Sequence, residues 1–269
     1  MEEINKTIID KIKYLADKGD KEAQLIIANM YYNGIGTVID RSEAFKYYKF
    51  LADGGNTESQ VMIANMYYNG IGVKIDRSKA LMYYKTAASN NNAEALYMLG
   101  KFYRYGNSSV GIEPNRYEAT KYYKLASNAG SSEAQYEIAL AYSISDHRLY
   151  LPTTNSDDEI KKAIKYYKLA ADNGHVEAQF DLACCYAYLS TYEEPAIEFE
   201  KKAFKYYKLA ADNGNAKAQE RLILYYIGGF GTEINYDEAR KYCHLIEEPT
   251  KSKEMIKKLD YKIEKNIQQ

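Results

Sequence analysis

The chain repeats itself, and this repetition limits the possible folds more than any other feature. The phrase IANMYYNGIG occurs unchanged at 27–36 and 63–72, and KYYKLAADNG occurs at 165–174 and 205–214. An alanine three residues before a tyrosine pair also recurs throughout, and so does a small residue that opens a second segment. The small residue lies at successive spacings of 36, 36, 39, 44 and 40, at Ala23, Ser59, Ala95, Ala134, Ala178 and Ala218. A period in this range indicates a stack of similar structural units.

Each unit is predicted to form two packed helices. Apolar and aromatic residues recur every three or four positions, the spacing of one helical face. In the tyrosine-pair segment of the first unit they are Ala44, Tyr47, Tyr48, Leu51 and Ala52, and in the segment before it Ala23, Ile27, Ala28 and Tyr31. Thirty tyrosines and no tryptophan indicate one structural set of tyrosines that has been copied along the chain.

The connections are of two kinds. The sequence AADNG at 170–174 and 210–214 predicts a tight turn, because glycine readily adopts the left-handed conformation that closes a helix. In the longer connection NGIGTVID, we expect Gly34 to end a helix and Gly36 to turn the chain. Asp40 is placed to cap the next helix, with Glu43 completing a capping box. Asn115 with Glu118 and Asn235 with Glu238 have the same spacing.

The combined pattern resembles the Sel1-like repeat family, a branch of the tetratricopeptide-like helical repeats. The matching stretches are A-Q-x-x-I-A-x-x-Y-x-N-G-x-G over 23–36 and D-x-x-x-A-x-x-Y-Y-x-x-L-A over 40–52, and the likeness extends over about 9–247. The usual tryptophan of the family is tyrosine here. The resemblance implies an all-α fold, a right-handed superhelical α/α solenoid of six to seven hairpin repeats in a single domain over 1–269. Five residues after the first small residue the chain has a second one, and there the sixth copy has Ile223, which predicts a looser pairing of its helices.

The chain end and two connections depart from the repeat. Apolar Ile256, Leu259 and Ile263 share one helical face among lysines, which predicts a C-terminal capping helix at about 251–267. Long loops are expected near 147–158 and 191–200, and both carry acidic residues that make them an alternative contact surface.

Composition argues against several function classes. Lysine plus arginine number 36 and aspartate plus glutamate 37, so no overall field attracts nucleic acid or an anionic membrane. The first residues contain no signal-peptide pattern, and three cysteines do not make a disulfide framework. We therefore expect a soluble cytoplasmic protein that binds neither nucleic acid nor membrane.

No catalytic or cofactor motif is found. The adjacent Cys184 and Cys185 point to different faces of a helix and suit a shared metal poorly, and Cys243 beside His244 lacks paired ligands. His175 follows a turn glycine and is expected in a solvated turn. The G-I-G glycines follow a helix rather than a strand, so they do not indicate a nucleotide site. We expect no enzyme activity, no cofactor and no metal.

The predicted function is that of an adaptor that binds a peptide or protein in the concave groove of the solenoid. Its groove-facing candidates are Asn29, Tyr32, Asn33, Asn65, Tyr68, Asn69, Tyr97, Lys101, Arg104 and Tyr105. Asparagine can hold a peptide backbone, tyrosine supplies contact area, and the cations can take a carboxylate or phosphate. The alternative is a small-molecule-binding, glycan-binding or hydrolytic member of the family. We expect a monomer or a weak homodimer.

Overall fold

The computed structural model describes residues 2–143, 157–192, 194–246 and 248–267. These residues form fourteen α-helices and one short 3-10 helix, Ser108–Val110. The α-helices are α1 Glu2–Asp17, α2 Lys21–Asn33, α3 Arg41–Asp53, α4 Thr57–Asn69, α5 Arg77–Ser89, α6 Ala93–Tyr105, α7 Arg116–Asn128, α8 Ser132–Tyr142, α9 Asp157–Asp172, α10 Val176–Tyr192, α11 Ala196–Asp212, α12 Ala216–Gly228, α13 Tyr236–Leu245 and α14 Pro249–Ile267. None of these described helices is both long and apolar enough to cross a membrane.

Helices α2 to α13 form six consecutive hairpins, with α1 before them and α14 after them. The predicted all-α fold of helical-hairpin repeats is confirmed. The chain divides into two compact units, unit 1 (Met1–Ala134) and unit 2 (Gln135–Gln269), each with its own hydrophobic core. The single domain and the right-handed superhelical course remain predictions.

A pair of stacked tyrosines holds each hairpin together. The first tyrosine of every tyrosine pair stacks on a tyrosine of the preceding helix. The ring centroids are 5.4–6.4 Å apart in Tyr31–Tyr47, Tyr67–Tyr83, Tyr103–Tyr122, Tyr142–Tyr166, Tyr186–Tyr206 and Tyr226–Tyr242. Offset stacking of this kind adds about 0.5–1.5 kcal/mol beyond the area buried. The high tyrosine content is therefore a copied structural set, as the sequence predicts.

A second small position follows five residues after the first, and in the third hairpin its Gly100 lies against the second tyrosine of the pair, Tyr123. A Cβ atom placed on Gly100 would be 2.5 Å from the ring of Tyr123, so even alanine is too large at this position of the third hairpin. In the sixth hairpin the sizes are exchanged, since Ile223 replaces the small residue and Cys243 replaces the tyrosine. Both are completely buried, and the expected looser pairing of these helices remains a prediction.

Side-chain hydrogen bonds join neighbouring hairpins at two repeated positions. The glutamine after the small residue donates to a carbonyl eight residues earlier, in Gln24–Ala16, Gln60–Ala52, Gln179–Ala171 and Gln219–Ala211. The first tyrosine of the pair donates to an aspartate thirty residues earlier, in Tyr47–Asp17, Tyr83–Asp53 and Tyr242–Asp212. Both bonds satisfy groups near the end of the preceding helix, where backbone carbonyls lack intrahelical partners.

The capping predictions are confirmed in part. Gly34 ends α2 with φ 73°, and Asp40 caps α3 by accepting from the backbone N–H groups of Ser42 and Glu43. The capping box is not formed, because the Asp40 N–H donates to the carbonyl of Tyr31 at 2.9 Å, and the Glu43 carboxylate pairs with Lys46. Asn115 and Asn235 likewise cap their helices, while their own N–H groups donate to carbonyls of the preceding helix.

One predicted long loop is wrong. The segment 191–200 is largely helical, because α10 continues to Tyr192 and α11 begins at Ala196. The added residues lengthen these two helices to 17 residues each, against 13 in α2 to α5. The other predicted loop, 147–158, lies outside the described residues up to the start of α9.

Candidate partner-binding face

The residues predicted to bind a partner lie on three helices of unit 1, α2, α4 and α6. Nine of them occupy the ninth, twelfth and thirteenth positions of these helices, and none is fully buried: Asn29, Tyr32, Asn33, Asn65, Tyr68, Asn69, Lys101, Arg104 and Tyr105. The tenth, Tyr97, is half-buried on α6. The eighth position, by contrast, is completely buried as Ala28 and Ala64. The described face is therefore the side of each helix that the hairpin core leaves uncovered.

The asparagines on this face already have partners within unit 1. Asn29 Oδ1 accepts from the hydroxyl of Tyr48 at 2.8 Å, and Asn65 Oδ1 accepts from that of Tyr84. Asn65 Nδ2 also donates to Glu94 at 2.8 Å. In the first two hairpins, the ninth position therefore binds the hydroxyl of the second tyrosine of the pair, a role that the sequence alone does not reveal. Contact of these asparagines with a partner remains a prediction.

Asn33 and Asn69 lie at the ends of their helices. Their side-chain amides donate to carbonyls one turn earlier, those of Asn29 and Asn65, at 3.1 and 3.0 Å. Both asparagines are exposed, and so is Tyr105, whose side chain is 63% accessible. Asn29 is exposed as well, so a partner can reach these four predicted residues without any rearrangement of the core.

Besides Arg104 over its neighbour Tyr105, three cation–tyrosine pairs lie on this face. The guanidinium of Arg41 is 5.8 Å from the ring centroid of Tyr32, and that of Arg77 is 4.5 Å from Tyr68. On α6, the Lys101 ammonium is 5.6 Å from the centroid of its neighbour Tyr97. Such cation–π contacts contribute about 0.5–1 kcal/mol at exposed sites. We call these six residues the cationic tyrosine face.

The sequence analysis missed Arg41 and Arg77. Both begin a tyrosine-pair helix, directly after the capping aspartates Asp40 and Asp76. The signal was present as the repeated I-D-R-S of 39–42 and 75–78. The repeat alone does not predict the contact, because the nearness of each arginine to a ring of the preceding helix depends on how the hairpin closes.

Unit 2 contains a cluster of ionisable groups that the sequence analysis did not predict. The hydroxyl of Tyr136 donates to Asp181 Oδ2 at 2.9 Å, and burial raises the pKa of the Asp181 carboxyl. The hydroxyl of Tyr207 contacts the sulfur of Cys184 at 3.4 Å. Burial raises the pKa of Cys184, and that of Cys185 to about 12. Thiols so shifted stay protonated at neutral pH and are weak nucleophiles, so this cluster does not favour covalent catalysis.

His175 caps a helix and packs on an aromatic ring instead of lying in a solvated turn. Its Nδ1 accepts from the backbone N–H of Ala178 at 3.2 Å, which caps the start of α10. The imidazole also stacks on Tyr136, with ring centroids 4.3 Å apart. The prediction of a solvated turn is therefore wrong, because the histidine occupies the capping position that Asp20 and Asn56 occupy in the first two hairpins. Within the described part of the chain, no three His, Cys, Asp or Glu side chains converge as metal ligands.

Comparison with known proteins identifies the family. The Sel1 repeat matches six consecutive segments, residues 21–56, 57–92, 93–131, 132–175, 176–215 and 216–245. These segments coincide with the six hairpins and cover most of the chain. The protein belongs to the Sel1 repeat family. No curated protein matches it significantly.

Two solved structures show the same fold. A Sel1 repeat protein from Oxalobacter formigenes is 27% identical, with a TM-score of 0.69 over 88% of this chain and 98% of that one. A protective antigen of uropathogenic Escherichia coli strains, which displays an SLR fold, is 23% identical with a TM-score of 0.68. That match covers 88% of this chain but 47% of the antigen, so the chain spans about half the length of that relative, and the likeness concerns the fold alone.

Proposed function

We propose that this Sel1 repeat protein is a non-enzymatic adaptor that binds a peptide or protein partner on the cationic tyrosine face of unit 1. Repeat proteins of this family commonly act as interaction scaffolds. The observation that carries the proposal is the placement of Arg41 and Arg77 over the rings of Tyr32 and Tyr68. Tyrosine and arginine are the residues most enriched at the energetic centres of protein interfaces.

The charge of this face favours an acidic partner. Arg41, Arg77 and Lys101 each extend from a different helix of unit 1, and Arg104 adds a fourth cation. A guanidinium already held over a ring loses less side-chain entropy when a carboxylate accepts its N–H groups. We therefore expect the partner to contribute aspartate or glutamate side chains spaced along an extended or helical segment.

The test replaces the two arginines without disturbing the helices that carry them. Arg41 and Arg77 are the first residues of α3 and α5, where the helix dipole favours a negative side chain. The variant Arg41→Glu/Arg77→Glu should therefore fold, with helix content confirmed by circular dichroism. The matched control, Lys85→Glu/Lys124→Glu, makes the same change in net charge on the exposed surface of α5 and α7.

Affinity capture from an extract of the source cells, followed by mass spectrometry, compares the three proteins. Partners retained by the wild type and the control but lost by the arginine variant support the proposal. Each should then bind the purified protein more weakly as salt concentration rises, because exposed charge pairs are screened. Capture of the same partners by both variants would show that the cationic tyrosine face is not the binding surface.

A further inference from the structure

Unit 1 contains an aromatic slot between its second and third hairpins. Phe102 of α6 fills it, with its ring centroid 5.6 Å from Tyr68 and 6.2 Å from Tyr84. Phe102 is 4% accessible and Tyr84 is completely buried. In this place, two consecutive hairpins close their interface with three aromatic rings.

Two of the three rings are missing from the corresponding place in unit 2. Counted from the start of each repeat, Ser143 occupies the position of Tyr68 and Cys185 that of Phe102. Tyr167, like Tyr84, is the second tyrosine of its pair. A cavity of about 300 Å³ is found at this place, lined by Ser143, Tyr167 and Cys185 among others. Its volume reaches the lower end of the range typical of small-molecule sites. The cavity therefore follows from the loss of two large side chains within a repeated pattern.

The lining of the cavity combines apolar surface with one carboxyl group. Tyr142, Ile160 and Tyr188 supply aromatic and aliphatic surface, which suits a flat ring. Asp181 also lines the cavity and occupies the position that Met98 has in the filled slot. Its Oδ2 accepts from Tyr136, and burial raises the pKa of its carboxyl. A half-buried carboxyl among apolar walls gains more from a hydrogen-bonding ligand than a solvated one does.

We propose that this cavity binds a planar nitrogen heteroaromatic ring that carries an amino group next to a ring nitrogen. The ring would occupy the space that Tyr68 and Phe102 fill in unit 1. The amino group and the ring nitrogen would form two parallel hydrogen bonds with the carboxyl of Asp181. This pairing forms whether the proton resides on the acid or on the ring nitrogen, so it suits a carboxyl in a poorly solvated place.

The probe is 2-aminopyridine, added to the full-length protein and followed by ligand-observed NMR and calorimetry. Two comparison probes separate the contribution of the ring from that of the hydrogen bonds. The first, 2-methylpyridine, keeps the ring but lacks the amino group, and the second, acetamidine, keeps the hydrogen-bonding groups but lacks the ring. We expect 2-aminopyridine to bind about tenfold more tightly than 2-methylpyridine, the difference typical of one hydrogen bond to a charged group. Acetamidine should not bind measurably.

Two variants locate the site. Asp181→Leu, which removes both the donor and the acceptor of the carboxyl at similar size, should lower the affinity for 2-aminopyridine to that for 2-methylpyridine. Ser143→Tyr/Cys185→Phe restores the residues of the filled slot and should abolish binding of both rings, whereas the control Ser78→Tyr, which adds the same bulk at an exposed serine of unit 1, should have no effect. Absence of 2-aminopyridine binding to the wild type, equal binding of the two rings, or unchanged binding by the Asp181→Leu variant would each overturn the proposal.

Discussion

At the scale of single residues, the tyrosine pair combines two different contacts in adjacent positions. Tyr47 stacks on Tyr31 and donates to Asp17, so it connects its own hairpin to the helix before it. Tyr48 is buried and donates to Asn29 within the hairpin. Neighbouring residues on a helix point about 100° apart, so one dipeptide can serve both interfaces. This explains why both tyrosines recur together.

Glycine supplies a second kind of contact at this scale, which a pair of variants can test. Gly72 has φ 69°, and a Cβ atom placed on it would be 2.2 Å from the carbonyl oxygen of Arg41 in the preceding hairpin. Gly19 has φ 94° with nothing within 4 Å. We expect Gly19→Ala to lower the free energy of unfolding by about 1–2 kcal/mol, the cost of the left-handed conformation.

For Gly72→Ala we expect a further loss of about 1–3 kcal/mol, because the carbonyl of Arg41 belongs to the backbone and cannot move aside without cost. Urea denaturation of the two variants measures the difference. Equal losses of unfolding free energy would mean that the close approach of the two hairpins at Gly72 does not contribute to stability.

At the scale of elements, the hairpin conserves the volume of its core rather than the identity of its residues. In the sixth hairpin, Ile223 is larger than the usual alanine and Cys243 is smaller than the usual tyrosine, yet both are completely buried. The periodicity showed that both positions face inward. It could not show whether the two sizes compensate each other, because that depends on which side chains meet across the hairpin.

The exchange predicts strong coupling between these two residues. Ile223→Ala alone should destabilise the protein by about 2–5 kcal/mol through a cavity, and Cys243→Tyr alone by about 1–3 kcal/mol through overpacking. The double variant, which restores the pattern of the other hairpins, should cost less than the sum of the two single losses. A double-mutant cycle in urea measures this. Simple additivity of the two losses would show that the side chains do not share space.

The C-terminal helix offers a second prediction for an element. Leu259 of α14 is completely buried, whereas its near neighbour Tyr261 is 64% accessible. Leu259→Ala should lower the free energy of unfolding by about 2–5 kcal/mol, because the helix can no longer cover the core of unit 2. Tyr261→Ala should change it by less than about 0.5 kcal/mol. Similar losses in both variants, measured by thermal denaturation, would contradict a capping role for α14.

At the scale of the whole molecule, each unit builds its core from the same repeated tyrosines, and this predicts how the protein responds to alkali. Burial raises the pKa of Tyr48 in unit 1 and of Tyr225 in unit 2 to about 12, from an ordinary value of 10.0. A raised pKa in the folded state means that folding favours the neutral phenol. The stability contributed by these groups is therefore complete below pH 10 and is lost as the pH rises toward 12.

We expect cooperative unfolding between about pH 10 and 12, with tyrosine absorbance at 295 nm rising together with the loss of helix signal. Titration in concentrated urea is the control, since the unfolded chain should ionise around the ordinary tyrosine pKa of about 10. Gradual ionisation centred on pH 10 with the helices intact would show that burial does not protect the tyrosines.

The sequence by itself determined the hairpin repeat, the inward faces of its helices and the capping roles of Gly34, Asp40, Asn115 and Asn235. Each of these follows from spacing within one helix or one turn, such as the 3.6-residue period or a glycine directly after Asn33. The predicted partner residues also came from this periodicity, which correctly excluded the buried eighth position. Whether they bind a partner depends on contacts with side chains of other helices, which the period within one helix does not give.

The tertiary structure alone decided which residues meet across hairpins. Arg77 reaches Tyr68 across a connection, Tyr83 bonds an aspartate thirty residues away, and the cavity beside Tyr167 exists because residues of two hairpins are both small. A local pattern records that a side chain points inward but not what it meets there. The reason is physical, since packing and desolvation depend on the sum of side chains brought together from distant parts of the chain.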